Sequence, residues 1–336
     1  MLPHVVVPVA VDADVHEARA AANGVATLHG VDDGTRGRIA LIVTELATNL
    51  VRHAQGGRML IGCHAVDAGG QVEIISIDSG PGMHDIHRHV RDRQSAGERD
   101  GIGLCGVRRL STDFSTFSER GVGTIVVSRA WAPASHSPTA ASPFSRFAHA
   151  GICLAAKGQP VSGDAWDIRI ADGRASVIVC DGAADGLRAA DASTVAAAAF
   201  KETVGSPRTL LQRAHLLMSP TAGAAAAIAE LDAKAGTIMF SGVGSIATRV
   251  ISNHHDDRLP SQSGLLGKQV DALCERRAPW PDHSVLIMHS DGLRDDWTMA
   301  GSPGLLQCDP AVIAAWLVRD YANTDEDVTV VVLKRG

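Results

Sequence analysis

Apolar residues follow two different periods along the first part of the chain and divide it into strands and helices. Apolar, β-branched runs predict strands at Val5–Val11, Arg58–Val66, Gln71–Ile77 and Gly123–Arg129. Apolar residues at helical spacing predict helices at Asp14–His29, Asp33–Ala54 and Gly103–Leu110. A polar, histidine-rich stretch, His84–Asp100, is predicted to be a loop. This order predicts an α+β domain whose helices cover one face of a mostly antiparallel sheet.

The rest of the chain has strand-like runs on both sides of an alanine-rich block. The predicted strands are Gly151–Ala156, Ala165–Ala171, Ala175–Cys180, Gly236–Phe240, Ile246–Ile251, Ser284–His289 and Val328–Leu333. The predicted helices are Ala189–Val204, Arg208–Met218 and Thr221–Leu231. Strands that flank a helical block fit a β-sandwich with helices packed on its faces.

A change of composition separates the two parts. The run from Trp131 to Arg146 contains three prolines and four serines and has no apolar periodicity, as is typical of a linker. The sequence therefore predicts an α+β protein of two domains, residues 1–130 and 148–336, joined by a linker at 131–147. A chain of 336 residues is long enough for two such domains, each with its own core.

Composition excludes several classes of protein. Hydrophobic residues make up 45% of the chain, which excludes a largely disordered protein, and a net charge of −6 disfavours nucleic acid as a partner. No apolar run approaches the length of a membrane span, and the first residues have no basic segment like that of a secretory signal. The six cysteines form no Cys-x-x-Cys pair, as expected for reduced thiols. We therefore expect a cytoplasmic protein with no membrane partner.

The second predicted helix carries a polar face. Glu45, Asn49 and His53 are spaced four residues apart and so share one side of the helix. A carboxylate beside a carboxamide can polarise a hydroxyl group and can ligate Mg²⁺ through oxygen. The alternative interpretation is a solvated polar stripe.

Three glycine-containing segments accompany this helix. Asp78-Ser-Gly80-Pro-Gly82-Met follows an apolar strand, where an aspartate can accept a hydrogen bond from an exocyclic amine and glycines admit a flat ring. Gly101 and Gly103 open a helix, whose exposed N–H groups suit phosphate. Gly123 and Thr124 open the last strand and offer backbone and hydroxyl groups. Each segment alone is also compatible with an ordinary turn.

The order and spacing of these four segments resemble the N, G1, G2 and G3 boxes of the GHKL ATPase superfamily. More narrowly, residues 5–130 resemble the bacterial anti-sigma-type serine kinases of the RsbW, SpoIIAB and RsbT group, above all through Gly-Ile-Gly-Leu-Cys-Gly-Val-Arg-Arg-Leu at 101–110. The resemblance implies a GHKL-type α/β sandwich that binds ATP and Mg²⁺. It implies these roles: Glu45 as general base, Asn49 as Mg²⁺ ligand, Asp78 with Gly80 and Gly82 at the adenine, Gly101 and Gly103 at the phosphates, and His53, Gly123 and Thr124 as further nucleotide contacts.

Acidic residues recur at strand ends in the second part. They occur as Gly163-Asp164, Asp181-Gly182, Asp291-Gly292 and Glu326-Asp327. Carboxylates gathered at one edge of a sandwich repel each other unless hard divalent cations such as Mn²⁺ or Mg²⁺ neutralise them. Two such ions can activate a water and hold a phosphoryl group. Each Asp-Gly pair alone is equally explained by a turn.

As an ordered set, these segments resemble the SpoIIE/RsbX branch of the PPM-type serine/threonine phosphatases over about residues 148–335. The resemblance implies a β-sandwich flanked by helices and two bound Mn²⁺ or Mg²⁺ ions. It implies that Asp181 bridges the ions with the help of the Gly182 carbonyl, and that Asp291 is a further ligand. By the same resemblance, Asp164 is either a further ligand or an acid that supports one, and the pair Glu326 and Asp327 supplies the C-terminal ligand. Two positions depart from the family pattern: Asp185 stands where a histidine is common, and Glu326 where an aspartate is usual.

Together the resemblances imply a bifunctional regulator of partner switching in a bacterial stress response, with an ATP-dependent kinase and a metal-dependent phosphatase on one chain. The implied substrate is a STAS-domain anti-anti-sigma protein or a stressosome-type protein. A sigma factor and a downstream phosphatase are further candidate partners, and a homodimer is a candidate assembly. Two alternatives stay open at this point: an ATP-binding part that only binds and senses, and a second part that is an inactive scaffold.

Overall fold

The computed structural model describes residues 3–66, 69–91, 102–131, 147–252 and 254–335. The chain divides into two compact units. The first unit comprises Leu2–Ala140 with Met299–Arg319, and the second comprises Ala141–Thr298 with Asp320–Gly336. Most of the predicted linker, 132–146, lies outside the described residues, and the predicted boundaries at 130 and 148 stay a prediction. The sequence patterns do not foresee that Met299–Arg319 joins the first unit.

The first unit is built on a five-stranded sheet with the order β1-β2-β3-β5-β4. Its neighbouring strands are antiparallel, as predicted, and are β1 (Val5–Val9), β2 (Gly57–Val66), β3 (Gly69–Ile77), β4 (Asp113–Glu119) and β5 (Gly123–Ala130). Its helices are α1 (Asp12–Leu28), α2 (Asp33–His53), α3 (Ile86–Arg91) and α4 (Gly103–Leu110). The predicted loop at 84–100 contains α3, and residues 92–100 lie outside the described residues.

α1 and α2 cover one face of this sheet. The start of α2 is fixed by Asp32, whose carboxylate accepts a hydrogen bond from Thr35 N at 2.9 Å. The alanines of α1 and the apolar stripe of α2 pack in one core with alternate residues of the strands. The side chains of these residues, such as Val72 and Ile74, point toward the helices. Glu73 and Ile75 therefore point to the opposite face of β3.

The segment Met299–Arg319 lies on that opposite face. It contains most of α7 (Pro310–Tyr321). Arg58 of β2 donates a hydrogen bond to the Val318 carbonyl at 2.8 Å, and Arg129 of β5 donates two to Asp309 at 2.9 and 3.1 Å. Residues 310–318 are all buried. A helix that is buried on every side has no amphipathic period, and this is why sequence patterning did not identify it.

The second unit is a sandwich of two antiparallel five-stranded sheets, β13-β10-β9-β8-β7 and β12-β11-β14-β15-β6. The strands are β6 (Phe147–Leu154), β7 (Asp164–Ala171), β8 (Arg174–Gly182), β9 (Ala224–Asp232), β10 (Thr237–Val243), β11 (Ala247–Ile251), β12 (Asp256–Arg258), β13 (Arg276–Pro279), β14 (Val285–His289) and β15 (Val328–Arg335). The helices α5 (Leu187–Glu202) and α6 (Pro207–Leu217) pack on the first sheet. The predicted sandwich with flanking helices is confirmed.

One predicted helix is wrong. Thr221–Leu231, predicted as helical from its alanines, is the strand β9, which lies between β8 and β10 in the middle of its sheet. Alternate alanines of β9 enter the core between the two sheets and the core beneath α5 and α6. Small side chains are therefore required by close packing on both faces, and this tertiary requirement outweighs the helix propensity of alanine.

Among the described residues, no helix has both the length and the apolar character needed to cross a membrane.

Candidate nucleotide and metal sites

The polar face of α2 forms one wall of the first site. Glu45 and Asn49 are half-buried and lie one turn apart, while His53, at the end of the helix, is exposed. Glu45 Oε2 accepts a hydrogen bond from Ile102 N at 2.9 Å. Ile102 directly precedes α4, so the carboxylate of Glu45 lies at the N-terminal end of that helix. Gly103 is the first residue of α4, and Gly101 lies outside the described residues.

Asp78, the second element of the site, lies immediately after β3. Its Oδ1 accepts hydrogen bonds from Gly80 N at 2.8 Å and from Thr124 N at 3.1 Å. Burial raises the pKa of the Asp78 carboxyl, although these two N–H groups act in the opposite direction. Among the described residues, Oδ2 has no hydrogen-bond donor, so it can accept one from a ligand.

Close backbone approaches explain three of the predicted glycines. A Cβ atom on Gly80 would lie 2.8 Å from Ala54 Cα, at the end of α2. Gly82 and Gly123 have positive φ angles of 61° and 126°, and a Cβ on either would collide with a backbone carbonyl oxygen. The Asp78 turn, the end of α2 and the start of β5 are thereby held against one another.

Ser118 belongs to this framework, and sequence reasoning missed it. Its hydroxyl lies 2.9 Å from Thr124 Oγ1 and accepts a hydrogen bond from Met83 N at 2.8 Å. Thr124 is therefore fixed by a residue of β4. No local signal identifies Ser118, because the sequence patterns did not predict β4 at all.

The second site begins at the paired ends of β7 and β8. Asp164 lies opposite Asp181 in the antiparallel register, so their side chains share one face of the sheet. The carboxyl groups of Asp181 and Asp291 are close enough to share a hydrogen bond, and Ser245 donates to Asp181 Oδ2 at 3.1 Å. Burial, followed by the charge of the neighbouring Asp291, raises the pKa of Asp181 to about 7. Three predicted acids are thus brought together.

Asp164 is the most deeply buried of the three. Its Oδ2 accepts a hydrogen bond from Ser290 Oγ at 2.6 Å, whereas its buried Oδ1 lies near the Thr329 hydroxyl but makes no hydrogen bond of good geometry among the described residues. Burial, followed by the charge of Asp181, raises the pKa of Asp164 well above its ordinary value. An unpartnered carboxylate oxygen beside two further carboxyl groups fits a hard divalent cation, which would both ligate the oxygen and neutralise the charge.

Asp327 and Glu326 are placed differently. Asp327 accepts hydrogen bonds from Ala156 N at 2.8 Å and from Gly163 N at 2.7 Å, one on each carboxylate oxygen. It therefore holds the loop that carries Asp164. The Glu326 side chain is exposed, and so is that of Asp185. The ligand roles of Glu326 and Asp327 stay predictions.

The glycines beside these acids are also explained by packing. A Cβ atom on Gly163 would lie 2.6 Å from the Ala189 side chain, and one on Gly182 would collide with the Ala189 carbonyl. A Cβ on Gly292 would collide with the Asp327 carbonyl. The Asp-Gly steps therefore keep neighbouring loops in contact around the carboxylates, a role that a surface turn would not require.

Comparison with known proteins identifies the family of the first unit. Residues 8–129 match the family model of the histidine kinase-like ATPase domain. The serine/threonine-protein kinase RsbT of Bacillus subtilis (strain 168) is 35% identical over 120 residues, which cover 35% of this chain and 89% of RsbT. The predicted kinase-type ATPase domain is confirmed at the level of the family.

Two solved structures resemble the C-terminal region in fold. A chain from a structure of the bacterial stressosome has a TM-score of 0.52 at 23% identity and covers 56% of this chain and 99% of its own length. RsbX in complex with magnesium has a TM-score of 0.50 at 18% identity and covers 56% of this chain and 96% of its own. At these identities the likeness concerns the fold, which is that of the PPM phosphatases. Through its first unit, the chain belongs to the histidine kinase-like ATPase family, as a relative of the serine/threonine kinase RsbT.

Proposed function

We propose that this chain is a bifunctional regulator of partner switching: an ATP-dependent protein serine/threonine kinase in its first unit and a metal-dependent phosphoprotein phosphatase in its second. The observation that carries the proposal is the group of Asp164, Asp181 and Asp291, with one buried oxygen unpartnered, in a chain whose other unit is a relative of a kinase. Because both units are on one chain, the kinase and the phosphatase that act on one phosphate group are held at a high local concentration.

In the kinase unit, the residues of α2 supply the chemistry. Glu45 accepts the proton of the attacking serine or threonine hydroxyl, and Asn49 offers an oxygen ligand to Mg²⁺. Asp78 Oδ2 accepts a hydrogen bond from the exocyclic amine of adenine. When nucleotide binds, the N–H groups at the start of α4 donate hydrogen bonds to phosphate oxygens. Ile102 N then donates to phosphate instead of to Glu45, which frees the Glu45 carboxylate. Mg²⁺, when bound, would neutralise the charge that develops on the transferred phosphoryl group.

In the phosphatase unit, Asp164, Asp181 and Asp291 would hold Mn²⁺ or Mg²⁺, assisted by the Gly182 carbonyl. When bound, such ions would supply the Lewis acidity that activates water and the positive charge that neutralises the phosphate. Ser290 orients Asp164 by donating to its Oδ2 and is itself fixed by Thr329 N at 2.9 Å. Asp327 holds the loop before Asp164 through two backbone amides.

A groove beside these acids suits a phosphoprotein. It has a volume of about 600 Å³ and begins at Ala183, two residues after Asp181. Arg188, Lys268 and Asp191 line it, and the two basic side chains offer positive charge to a phosphoserine and its neighbours. We infer that the substrate is a STAS-domain anti-anti-sigma or stressosome-type protein, which this unit dephosphorylates and the first unit phosphorylates.

Phosphosite mapping on a candidate STAS-domain protein tests both halves separately. The intact chain with MgATP is expected to phosphorylate it, and Glu45→Ala is expected to bind nucleotide without transferring phosphate. The intact chain with Mn²⁺ is expected to remove the phosphate, and Asp181→Asn is expected to do so at least about a hundredfold more slowly. Nucleotide binding without transfer by the intact chain would refute the kinase. Equal hydrolysis by the intact chain and Asp181→Asn would refute the metal site.

A further inference from the structure

A second group of metal-ligating side chains lies in the first unit, on the sheet face opposite α1 and α2. It consists of His4, which precedes β1, His64 of β2 and Glu73 of β3. The neighbouring Gly62 lies opposite Glu73 in the register, and a Cβ atom there would come within 2.7 Å of the His4 ring. The glycine therefore makes room for an imidazole to lie over the sheet.

The two distances from Glu73 to the histidines match the separation of two ligands of one metal ion better than that of typical hydrogen bonds. Glu73 Oε1 lies 3.4 Å from His4 Nε2 and 3.3 Å from His64 Nε2, and all three ligand atoms lie within 4.8 Å of one another. Hydrogen bonds from nitrogen to oxygen are usually shorter, about 2.7–3.2 Å. Ligands at about 2.0–2.2 Å from a tetrahedral zinc ion are separated by about 3.3–3.6 Å.

Burial and charge favour a cation at this position. The side chains of His4 and Glu73 are each 2% exposed, and that of His64 is 16% exposed. The Arg129 guanidinium group lies beside the Glu73 carboxylate and favours its charged form. Its Oε2 accepts a hydrogen bond from Arg129 Nε at 2.6 Å, which leaves Oε1 to the two imidazoles.

Arg129 is paired with more than one carboxylate. Arg129 also pairs with Asp113 and Asp309, so one guanidinium group serves three carboxylates. With both imidazoles neutral, as metal ligation requires, Arg129 and its three carboxylate partners together carry a net charge of −2. One divalent cation would balance this charge.

We propose that His4, His64 and Glu73 bind a divalent transition-metal ion of borderline softness, of which zinc is the type, with water as a further ligand. Two imidazoles and a carboxylate suit this class of ion, whereas Mg²⁺ prefers oxygen. The site joins the residue before β1 to β2 and β3 and, through Arg129, to Asp309. Its role is structural: it fixes the face of the sheet on which Met299–Arg319 lies. It is distinct from the acids of the second unit.

Zinc binding to the full-length chain tests this proposal. The chain is freed of metal with a chelator, and zinc is then titrated calorimetrically while bound metal is counted by mass spectrometry. His64→Gln and His4→Gln are the test variants, and His16→Gln, an exposed histidine of α1, is the matched control. Loss of an outer partner of a metal ligand already costs about 10–100-fold, so loss of a ligand is expected to weaken binding more than about a hundredfold. Asp181→Asn is expected to keep this site.

The expected result is one more zinc ion in the parent and His16→Gln than in His64→Gln and His4→Gln, with a tetrahedral Co²⁺ absorption band that the test variants lack. Equal zinc stoichiometry and affinity in the parent and in either folded test variant would overturn the proposal. If neither test variant folds, the parent decides: zinc in slight excess must raise its melting temperature, and no rise would also overturn the proposal. A parent that binds no zinc but gains stability as its histidines protonate would also overturn the proposal. That result would indicate that imidazolium groups balance the carboxylates.

Discussion

Replacing Asp181 by asparagine should stabilise the metal-free second unit while abolishing its stabilisation by metal. Burial beside Asp291 raises the pKa of Asp181 to about 7 from its ordinary value of 3.8. In the absence of a cation, the folded unit therefore disfavours the ionised carboxylate. Asparagine keeps the shape and the hydrogen bond from Ser245 but removes the charge. A raised pKa of this size corresponds to about 2–4 kcal/mol above neutral pH, once sharing with Asp291 is allowed for.

The sign of the pH dependence follows from the same shift. A carboxyl group whose pKa is raised in the folded state stabilises the folded state as long as the group is protonated. This stabilisation is fully present below about pH 4 and is lost as the pH rises through about 7. The metal-free parent should therefore lose stability between about pH 4 and 7 and change little above that range through this group. Asp181→Asn should lack this slope.

Thermal unfolding in EDTA and in Mn²⁺, from pH 5 to 8, measures both effects. At pH 8 in EDTA, the transition of Asp181→Asn should lie about 5–10 °C above that of the parent. Mn²⁺ should raise the melting temperature of the parent and leave that of the variant nearly unchanged. Asp185→Asn, an exposed acid four residues away, is the matched control and should follow the parent. A variant that melts below the parent in EDTA at pH 8, or that gains as much from Mn²⁺, would refute the reasoning.

Three further predictions concern the other residues of the two sites. Glu45→Gln should keep nucleotide affinity and lower phosphoryl transfer at least about a hundredfold, since it removes a proton acceptor; equal transfer rates would contradict the role of the base. Gly123→Ala should abolish nucleotide binding and lower the melting temperature, because its Cβ would collide with the Asp78 carbonyl; normal binding by calorimetry would contradict this. Arg188→Glu with Lys268→Glu should raise the KM for a phosphoprotein at least about tenfold and leave hydrolysis of a small aryl phosphate unchanged; equal changes for both substrates would contradict a docking groove.

The sequence predicted best those features that depend on local spacing. Four-residue spacing placed Glu45 and Asn49 on one helix face, and the structure has them there because the opposite face of α2 is buried. Apolar runs with Asp-Gly at their ends predicted β8 and β14 and, with them, the acids that meet at the edge of the sandwich. These predictions succeeded because burial on a regular element leaves a period in the sequence.

Features set by tertiary packing left no such period. β9 was predicted as a helix because alanine favours helices, yet its place between two layers demands small side chains. Ser118 and β4 gave no signal, since β4 is only partly buried along most of its length. The group of His4, His64 and Glu73 joins residues up to 69 positions apart, and only the strand register brings them together.

The position of α7 matters for how the two activities can be separated. Met299–Arg319 belongs to the first unit, yet in sequence it lies between Asp291 and Asp327, two acids of the second. A fragment that ends near residue 140 would lack this segment and would uncover Leu60, Ile75 and Val127, which are fully buried on that face of the sheet. It would also leave Arg129 without Asp309. A kinase fragment cut at the sequence boundary would therefore be destabilised for reasons unrelated to its chemistry, and point variants of the full chain are the sound way to assign each activity.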